Sequence, residues 1–257
     1  MDRISVITIC FNNLADLLVS CASVDQQTHL PFEHIVINGS TSSEISDWLE
    51  NEPQPHYRRW ISERDKGISD AFNKGIQHAN GEMIHLLNAG DTYFNAQVLH
   101  TVFNKLSNNP QIAWVSGRIE MKRGGIWVHV GVPFDPKQLY KGMRSISHPT
   151  YFVRAGVYLR VGLFHLDHKI AMDYDLLCRL KNEPYGYISE TLIHFDDKGV
   201  STTSYLQSLE ENIRVYESHF GFSIACRLWQ FRLQLLHYLM GSTFGKFLYK
   251  IKVQFSK

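Results

Sequence analysis

The stretch SERDKGISDAFNKGIQHANGEMIHLLNAGDTY, residues 62–93, combines a helix signal with a strand signal. Apolar residues recur at helical spacing from Ile68 to Ala79, and Asn80-Gly81 is a typical helix stop. Residues 83–87 form a short, mostly apolar run that predicts a buried strand, and this strand ends on Asn88-Ala89-Gly90-Asp91. A carboxylate at that end of a strand lies where open α/β sheets bind ligands. Hard oxygen ligands there suit Mg²⁺ or Mn²⁺ carrying a diphosphate.

Composition sets the broad class of the molecule. The chain has 257 residues, 44% of them hydrophobic and 20% charged, which is ordinary for one globular core with a short appendage. The net charge of +1 gives no general polyanion-binding signal, so we expect no nucleic-acid partner. Four cysteines without a CxxC pair predict reduced, mostly buried thiols. No secretory signal or membrane-length apolar run is present, which predicts a cytoplasmic location.

Three segments, in this order, resemble the motifs of family 2 glycosyltransferases, which are inverting enzymes with the GT-A fold. They are SVITICFN at residues 5–12, HIVINGS at residues 34–40, and residues 62–91. The resemblance covers roughly residues 1–200, and it depends on the order and spacing of the segments together. It implies an α/β fold with a single Rossmann-like, mostly parallel central sheet flanked by helices, followed by a C-terminal helical appendage.

The resemblance also implies a site for a nucleotide-diphosphate sugar, with a UDP-sugar favoured. Its predicted residues are Thr8, Asn12, Asn38, Asp65, Lys66, Gly67, Asn73, Asn88, Ala89 and Gly90. The family usually has Asp where this chain has Asn38, and an amide still pairs with a uracil or guanine edge, so the departure affects nucleotide identity. Lys66 is equally well interpreted as a solvated loop lysine, and the first segment alone fits any α/β protein.

Asp91 is the predicted metal ligand. The family commonly has Asp-Asp or Asp-x-Asp at this position, whereas this chain has Asn88, Gly90 and a single acid. One interpretation is that Asp91 holds Mn²⁺ or Mg²⁺, with phosphates and water completing the octahedron. The other is that the metal has been lost and the protein is a non-catalytic relative. We favour the first, because the last Asp of the motif is present and Asn88 can contribute a carbonyl oxygen.

A second motif, IAMDYDLLCRL at residues 170–180, resembles the family segment that supplies the catalytic base, and Asp173 matches that base. Inverting transfer needs one carboxylate to take the proton of the attacking acceptor hydroxyl. The alternative is that Asp173 and Asp175 cap the following helix. We also predict an i,i+4 pair between Asp175 and Arg179, and a structural role for His148 because it precedes proline.

Two further loops have less specific patterns. The irregular segment 131–143 and the adjacent Arg144 contain basic residues that either close over the donor or form an ordinary surface loop. The segment Asp196–Ser201 resembles a GGxS segment of the family, and its paired acids are interpreted as a solvated loop.

The last part of the chain has a different pattern. One helical face carries apolar residues, and no acidic residue occurs from Phe222 onward. The apolar residues of this face are Ile224, Leu228, Phe231, Leu235 and Leu239. This pattern predicts an interfacial helix on the anionic inner leaflet of the cytoplasmic membrane. Packing on the domain or on a second copy is the alternative.

The sequence therefore predicts a GT-A domain over residues 1–220 and a basic amphipathic tail over residues 221–257. The domain divides into a donor half at about residues 1–110 and an acceptor half at about residues 111–220. The predicted reaction is inverting sugar transfer to a hydroxyl of a glycan or lipid-linked acceptor in bacterial surface-polysaccharide biosynthesis. A nucleotidyltransferase is less favoured because residues 8–14 lack glycine and lysine, and a non-catalytic binder or partner subunit stays open.

Overall fold

The computed structural model describes residues 3–143, 146–195 and 204–241. Its strands are β1 (Ile4–Cys10), β2 (Glu33–Asn38), β3 (Arg58–Ser62), β4 (Met83–Asn88), β5 (Thr92–Tyr93), β6 (Trp114–Arg123), β7 (Ile126–Val130), β8 (Phe152–Arg154) and β9 (Tyr185–His194). In these parts of the chain they form one sheet in the order β3-β2-β1-β4-β8-β6-β9-β5, and β7 pairs with β6.

The helices of the described residues lie on both faces of this sheet, and the last two follow the final strand in the chain. They are α1 (Leu14–Asp25), α2 (Glu44–Asn51), α3 (Ile68–His78), α4 (Val98–Ser107), α5 (Ala155–Val161), α6 (Met172–Arg179), α7 (Tyr205–Phe220) and α8 (Ile224–Gly241). Short 3-10 helices cover Pro136–Lys141, His148–Thr150 and Leu180–Asn182.

The first part of the chain, the predicted donor half, contains parallel strands, as expected for this fold. β1 pairs in parallel with β2 and β4, and β2 pairs in parallel with β3. Side chains alternate between the two faces of a strand, so Ile35 and Ile37 pack with Phe72 of α3, whereas Val36 packs with Leu17 of α1. Both faces are covered, which explains why these strands read as continuous apolar runs.

The second part of the chain, the predicted acceptor half, adds antiparallel strands to the same sheet. β8 lies antiparallel between β4 and β6, and β9 runs parallel to β6. The hairpin between β6 and β7 turns at Gly124 and Gly125, which have φ angles of 57° and 87° and make the predicted turn possible. The apolar patterns of residues 185–188 and 192–195 predict two separate strands. The structure instead has the continuous β9, and its pairing with β6 shows register shifts around Arg118.

The last helix has the predicted apolar stripe, but the stripe points away from the domain. Leu228 and Phe231 are each 62% exposed, whereas Cys226 and Gln230, on the other face of α8, have no exposed surface. The other stripe residues, Ile224, Leu235 and Leu239, are also exposed. None of the helices in residues 3–143, 146–195 and 204–241 is long and apolar enough to cross a membrane.

The four cysteines are free and buried, as the sequence predicts. Burial is the main reason that the pKa of the Cys10 thiol rises to about 12, and the same cause raises the pKa of Cys21 to about 12. Thiols with such a pKa stay protonated and are poor nucleophiles at neutral pH. They contribute packing rather than chemistry.

Two leucine substitutions test the assigned core. Leu99 of α4 has no exposed surface, and Leu159 of α5 is 89% exposed. We expect Leu99→Ala to lower the free energy of unfolding by about 2–5 kcal/mol because it leaves a cavity. The matched variant Leu159→Ala should change it by less than about 0.5 kcal/mol. Urea unfolding of both variants measures the difference, and equal losses would contradict the packing of α4.

Candidate active site

The carboxyl ends of the parallel strands lie level with one another at one edge of the sheet. Cys10 of β1 is opposite Asn38 of β2, and Asn38 is opposite Ser62 of β3. On the other side of β1, Ile9 is opposite Asn88 of β4. The loops that follow these four strands therefore meet, and we call this place the donor edge.

Asn12 joins two loops of the donor edge. Its side-chain carbonyl accepts hydrogen bonds from the backbone N–H groups of Thr41 (3.1 Å) and Ser42 (3.3 Å), and its own N–H donates to Ser40 Oγ at 2.9 Å. Its φ of 52° lies in the left-handed region, which Asn tolerates better than most residues. Asn12 is exposed at this edge, as expected of a residue that meets a ligand.

Asn38 is largely engaged inside the protein. It is 3% exposed, and its Nδ2 donates to Ser46 Oγ (3.1 Å) and Ser62 Oγ (3.2 Å). Its Oδ1 accepts the backbone N–H of Ser40 at 3.1 Å. A contact with a nucleotide base stays a prediction, and it would have to replace one of these internal bonds.

Thr8 has no exposed surface and lies beneath the donor edge. Its hydroxyl is 2.9 Å from His34 Nε2, and Arg58 Nε donates to His34 Nδ1 at 3.1 Å. Because an arginine can only donate, Nδ1 accepts and Nε2–H donates to Thr8. Burial and then the charge of Arg58 hold the pKa of His34 well below its usual value, so this ring is neutral. The described geometry gives Thr8 a structural bond rather than an open position for a ligand.

Asp65 lies against two glycines, Gly67 in its own loop and Gly39 in the loop after β2. Asp65 Oδ1 accepts the N–H of Gly67 at 2.8 Å, and Gly67 has a φ of 114°. A Cβ atom at Gly39 would lie 1.8 Å from Asp65 Oδ2, so a larger residue at 39 would displace the carboxylate. The side chain of Lys66, which lies between Asp65 and Gly67, is exposed. The backbone N–H of Lys66 donates to Asp70 Oδ2 at 2.9 Å.

The acidic turn after β4 is held by Ser20 of α1, which the sequence reasoning missed. Ser20 Oγ donates to the carbonyl of Asp91 at 2.8 Å and accepts the N–H of Gly90 at 2.9 Å. Gly90 has a φ of 102°, and the N–H of Ala89 donates to a β1 carbonyl at 3.2 Å. Asn88 Nδ2 lies 3.3 Å from Asp91 Oδ2.

The oxygen ligands of this turn, from Asp91 and Asn88, fit a metal ion that takes most of its ligands from outside the protein. Asp91 is 2% exposed, and Asn88 is partly exposed beside it. Carboxylate and amide oxygens suit Mg²⁺ or Mn²⁺. No group of three His, Cys, Asp or Glu ligand atoms gathers around Asp91 among the residues that the structure describes. A diphosphate and water would therefore have to supply the remaining ligands.

Asn73 connects the two halves of the protein. Its Nδ2 donates to the carbonyl of Phe164 at 2.9 Å, and its Oδ1 accepts the N–H of the same residue at 2.8 Å. Nearby, Ser69 Oγ of α3 donates to Met172 Sδ of α6 at 3.0 Å. The start of α3, which follows Gly67, thus lies against the start of α6.

Asp173 occupies the first turn of α6, beside a buried histidine. Asp173 Oδ1 is 3.5 Å from His148 Nδ1, and the Asp173 side chain is 33% exposed. Burial raises the pKa of Asp173, and the nearby His148 opposes this shift. Burial lowers the pKa of His148, which is 3% exposed. A carboxylate with a raised pKa that still reaches solvent is suited to accept a proton.

Neighbouring elements fix the position of this carboxylate. Glu211 of α7 accepts the N–H groups of Ile170 and Ala171 at 2.9 Å each, directly before α6. Arg179 pairs with Asp175 at 2.8 Å, which confirms the predicted i,i+4 pair. The helix begins after Ala171 without a side-chain cap, so neither acid caps it.

His85 of β4 positions the turn that carries His148. Its Nε2 lies 2.8 Å from the carbonyl of Pro149, and its Nδ1 lies 2.8 Å from the Tyr93 hydroxyl. A carbonyl can only accept, so Nε2 carries the proton. Burial lowers the pKa of His85 to about 3, which keeps the ring neutral. His148 itself is buried beside Asp173, and its predicted structural role stays a prediction.

Two predicted segments lie outside the described residues. These are Arg144 beside the basic loop, and the segment Asp196–Ser201. Residues 131–143 of the basic loop are described, and the Lys141 ammonium lies over the rings of Tyr140 and Trp229.

The model of glycosyl transferase family 2 matches residues 5–163, more than half of the chain. The chain belongs to this family. This family 2 chain is 31% identical over 204 residues to an uncharacterized glycosyltransferase of Mycobacterium tuberculosis, with 77% of each protein covered. It is 29% identical over 178 residues to a PGL/p-HBAD biosynthesis glycosyltransferase of Mycobacterium bovis, with 67% of each covered.

Solved structures have the same fold at low sequence identity. A crystal structure of S. aureus TarS residues 1–349 has a TM-score of 0.62 at 14% identity, covering 85% of this chain and 66% of that one. The mannosyltransferase PcManGT of Pyrobaculum calidifontis, solved with GDP-Man and Mn²⁺, has a TM-score of 0.61 at 14% identity, covering 98% and 80%. These likenesses confirm the predicted GT-A fold.

The two hydrogen bonds of Asn73 can be tested by substitution. We expect Asn73→Ala to lower the free energy of unfolding by about 1–3 kcal/mol, because it leaves the backbone groups of Phe164 without their partner. Asn104→Ala on α4 is the matched control, since Asn104 is exposed and bonds only to the neighbouring His100 in the described structure. Chemical unfolding measures both. Unchanged stability with weakened nucleotide binding would instead support the predicted contact between Asn73 and the nucleotide.

Proposed function

We propose that this glycosyltransferase moves a sugar, with inversion, from a nucleotide-diphosphate donor to a hydroxyl of a lipid-linked or oligosaccharide acceptor. The observation that carries the proposal is the Asp173 carboxylate, which is partly exposed and has a raised pKa. The preceding residue, Met172, contacts Ser69 of α3. The relative of Mycobacterium bovis, described as a PGL/p-HBAD biosynthesis glycosyltransferase, supports a role in building cell-envelope glycans or glycolipids.

In this proposal the donor edge binds the nucleotide sugar. Asn12, Asp65, Lys66 and Gly67 contact the nucleotide, and the turn at residues 88–91 contacts the diphosphate. A UDP-sugar is favoured because TarS has been solved with UDP and with UDP-GlcNAc. PcManGT with GDP-Man makes a guanine nucleotide the next choice.

Asp91 would hold Mn²⁺ or Mg²⁺ together with Asn88, once the Asn88 amide is turned so that its oxygen rather than Nδ2 faces Asp91. A bound ion would stabilise the negative charge of the leaving diphosphate. The remaining chemistry belongs to the acceptor half. Asp173 Oδ accepts the proton of the acceptor hydroxyl as its oxygen attacks the anomeric carbon. His148, whose pKa is lowered by burial, lies 3.5 Å from this carboxylate. No covalent intermediate with the protein is needed for an inverting transfer.

We propose further that residues 1–220 form the catalytic unit and that the tail, residues 221–257, contacts an anionic membrane surface. The exposed apolar stripe of α8 supports this, since such a stripe is unfavourable in water unless something covers it. Arg232 flanks the stripe, whereas Arg227 beside it is paired with Glu217 at 2.7 Å. The sequence from Phe222 onward has basic but no acidic residues. This charge favours a leaflet of anionic lipid over an uncharged apolar partner.

A thermal-shift panel of UDP, GDP, CDP and dTDP, each with Mn²⁺ or with chelator, tests the donor site. We expect the largest shift with UDP and Mn²⁺. A ligand at 100 times its Kd adds about 2.7 kcal/mol to the free energy of unfolding, which raises the Tm. Asp91→Asn should lose the metal-dependent part. A shift that chelator does not change would contradict the metal role of Asp91, and no shift with any nucleotide would contradict the donor site.

Asp173→Asn separates catalysis from binding. We expect it to keep the nucleotide-induced thermal shift while losing hydrolysis or transfer of the donor sugar, because the amide cannot accept the proton. Asp167→Asn is the control, since that exposed acid lies in the turn before α6 and has no assigned role. Full activity of Asp173→Asn would reject Asp173 as the base. Nucleotide binding without any turnover in the wild type would favour the non-catalytic alternative.

Sedimentation with lipid vesicles tests the stripe. We expect the full chain to bind phosphatidylglycerol vesicles more strongly than phosphatidylcholine vesicles, and salt to weaken the binding. The double variant Leu228→Asp, Phe231→Asp should lose it, whereas Leu159→Asp, on an exposed position of α5, should keep it. A concentration-dependent dimer that the double variant abolishes, without vesicle binding, would assign the stripe to a second copy instead.

A further inference from the structure

A cluster of histidines surrounds Asp175, and no part of the sugar-transfer chemistry uses it. His165 Nδ1 lies 3.2 Å from Asp175 Oδ2, and His168 Nε2 lies 3.8 Å from Oδ1. His219 Nε2, near the end of α7, lies 2.7 Å from the same Oδ1. Residues two apart on a helix point about 200° apart, so Asp175 faces away from Asp173.

We propose that His165, His168 and Asp175 bind a transition-metal ion of the Zn²⁺ class, with water as the fourth ligand and His219 as a hydrogen-bond partner of Asp175. The first three offer ligand atoms that all lie within 4.8 Å of one another. They are the one group of three or more such side chains within residues 3–143, 146–195 and 204–241. The site does not depend on the proposed function.

The chemistry of the ligands selects the metal. Imidazole nitrogens suit Zn²⁺, Ni²⁺ and Cu²⁺, whereas Mg²⁺ and Mn²⁺ prefer oxygen ligands. Two imidazoles with one carboxylate, plus a third imidazole or water, make a common tetrahedral zinc set. This differs from the donor edge, where Asp91 and Asn88 offer only oxygen.

The carboxylate of the cluster is already oriented. Arg179 donates to Asp175 Oδ2 from Nε at 3.0 Å and from Nη2 at 2.8 Å, so the carboxylate is fixed before any ion arrives. Metal-binding carboxylates commonly have such outer partners. Arg179 also donates to the carbonyl of Gly162 at 2.9 Å, which holds the turn that carries the two histidines close to α6.

The site is open to solvent on one side. Asp175 is 1% exposed, whereas the His165 side chain is 54% exposed and that of His168 is 23% exposed. Ligands at about 2.0–2.2 Å from a tetrahedral zinc ion are about 3.4 Å apart, so closure needs movements of about 1 Å. An exposed imidazole such as His165 can make this movement by rotation.

A bound ion would connect the turn after α5 with α6 near the candidate base, and α7 contacts this site through His219. His165 and His168 lie in the turn after α5, Asp175 lies in α6, and His219 lies in α7. The ion would replace the protons that the histidines share with Asp175, since metal ligands bind in their deprotonated form. We therefore expect the ion to stabilise the acceptor half.

Zn²⁺ titration of the full chain tests the proposal. The affinity tag is removed, bound metal is stripped with EDTA, and Zn²⁺ affinity is measured by competition with a chromogenic chelator. We expect one Zn²⁺ per chain, a higher Tm with Zn²⁺, and at least about tenfold weaker binding in His165→Ala and in His168→Ala. Visible absorption of the Co²⁺ form should indicate tetrahedral nitrogen and oxygen ligands.

Two control variants distinguish this site from other places on the molecule. His56→Ala removes an exposed histidine outside the cluster, and Asp91→Asn removes the predicted ligand at the donor edge; both should bind Zn²⁺ as the wild type does. Zn²⁺ affinity that is unchanged in His165→Ala and His168→Ala would overturn the proposal. So would the absence of stoichiometric binding, or binding that disappears in Asp91→Asn.

Discussion

The buried carboxylate of Asp175 is the constraint on which the acceptor half depends. A buried charge is costly unless it is paired and hydrogen-bonded, and here the partners come from different elements. Arg179 lies in α6 itself, His165 in the preceding turn, and His219 in α7. Burial raises the pKa of Asp175, but the bonds to His219 and Arg179 outweigh it and keep the carboxyl ionised. Asp173 lies two residues earlier, so this network fixes the candidate base as well.

The proposed transfer would use groups from both predicted halves, and polar bonds across the molecule hold these two parts in register. Asn73 pairs with the backbone of Phe164, and His85 bonds to the carbonyl of Pro149 beside His148. Apolar packing alone permits small shifts, because it has no preferred direction. Directional hydrogen bonds between the parallel donor half and the mixed acceptor half remove that freedom. The position of Asp173 relative to the donor edge follows from them.

The sequence was sufficient for the fold because periodicity and turn chemistry are local signals. It predicted α3, β4 and the Asp175–Arg179 pair, since each depends on residues close together in the chain. It did not predict the direction of side chains within motifs. Thr8 is hydrogen-bonded to His34, and Asn38 is hydrogen-bonded to Ser46. A strand pattern does not specify partners that lie in other elements. Ser20 was missed for the same reason, because its partner turn is 70 residues away.

The last helix illustrates the limit of such patterns. An amphipathic sequence predicts that one face is covered, but it does not say by what. In α8 the buried positions are Cys226, Gln230 and Leu233, while the more apolar stripe faces outward. The buried face contacts the segment 136–141, where Gln230 Nε2 lies 3.5 Å from the carbonyl of Tyr140. Tyr174, beside Asp173, donates its hydroxyl to the carbonyl of Leu139 in that same segment at 2.5 Å. The face of α8 opposite the stripe is therefore linked through one short segment to the helix that carries Asp173.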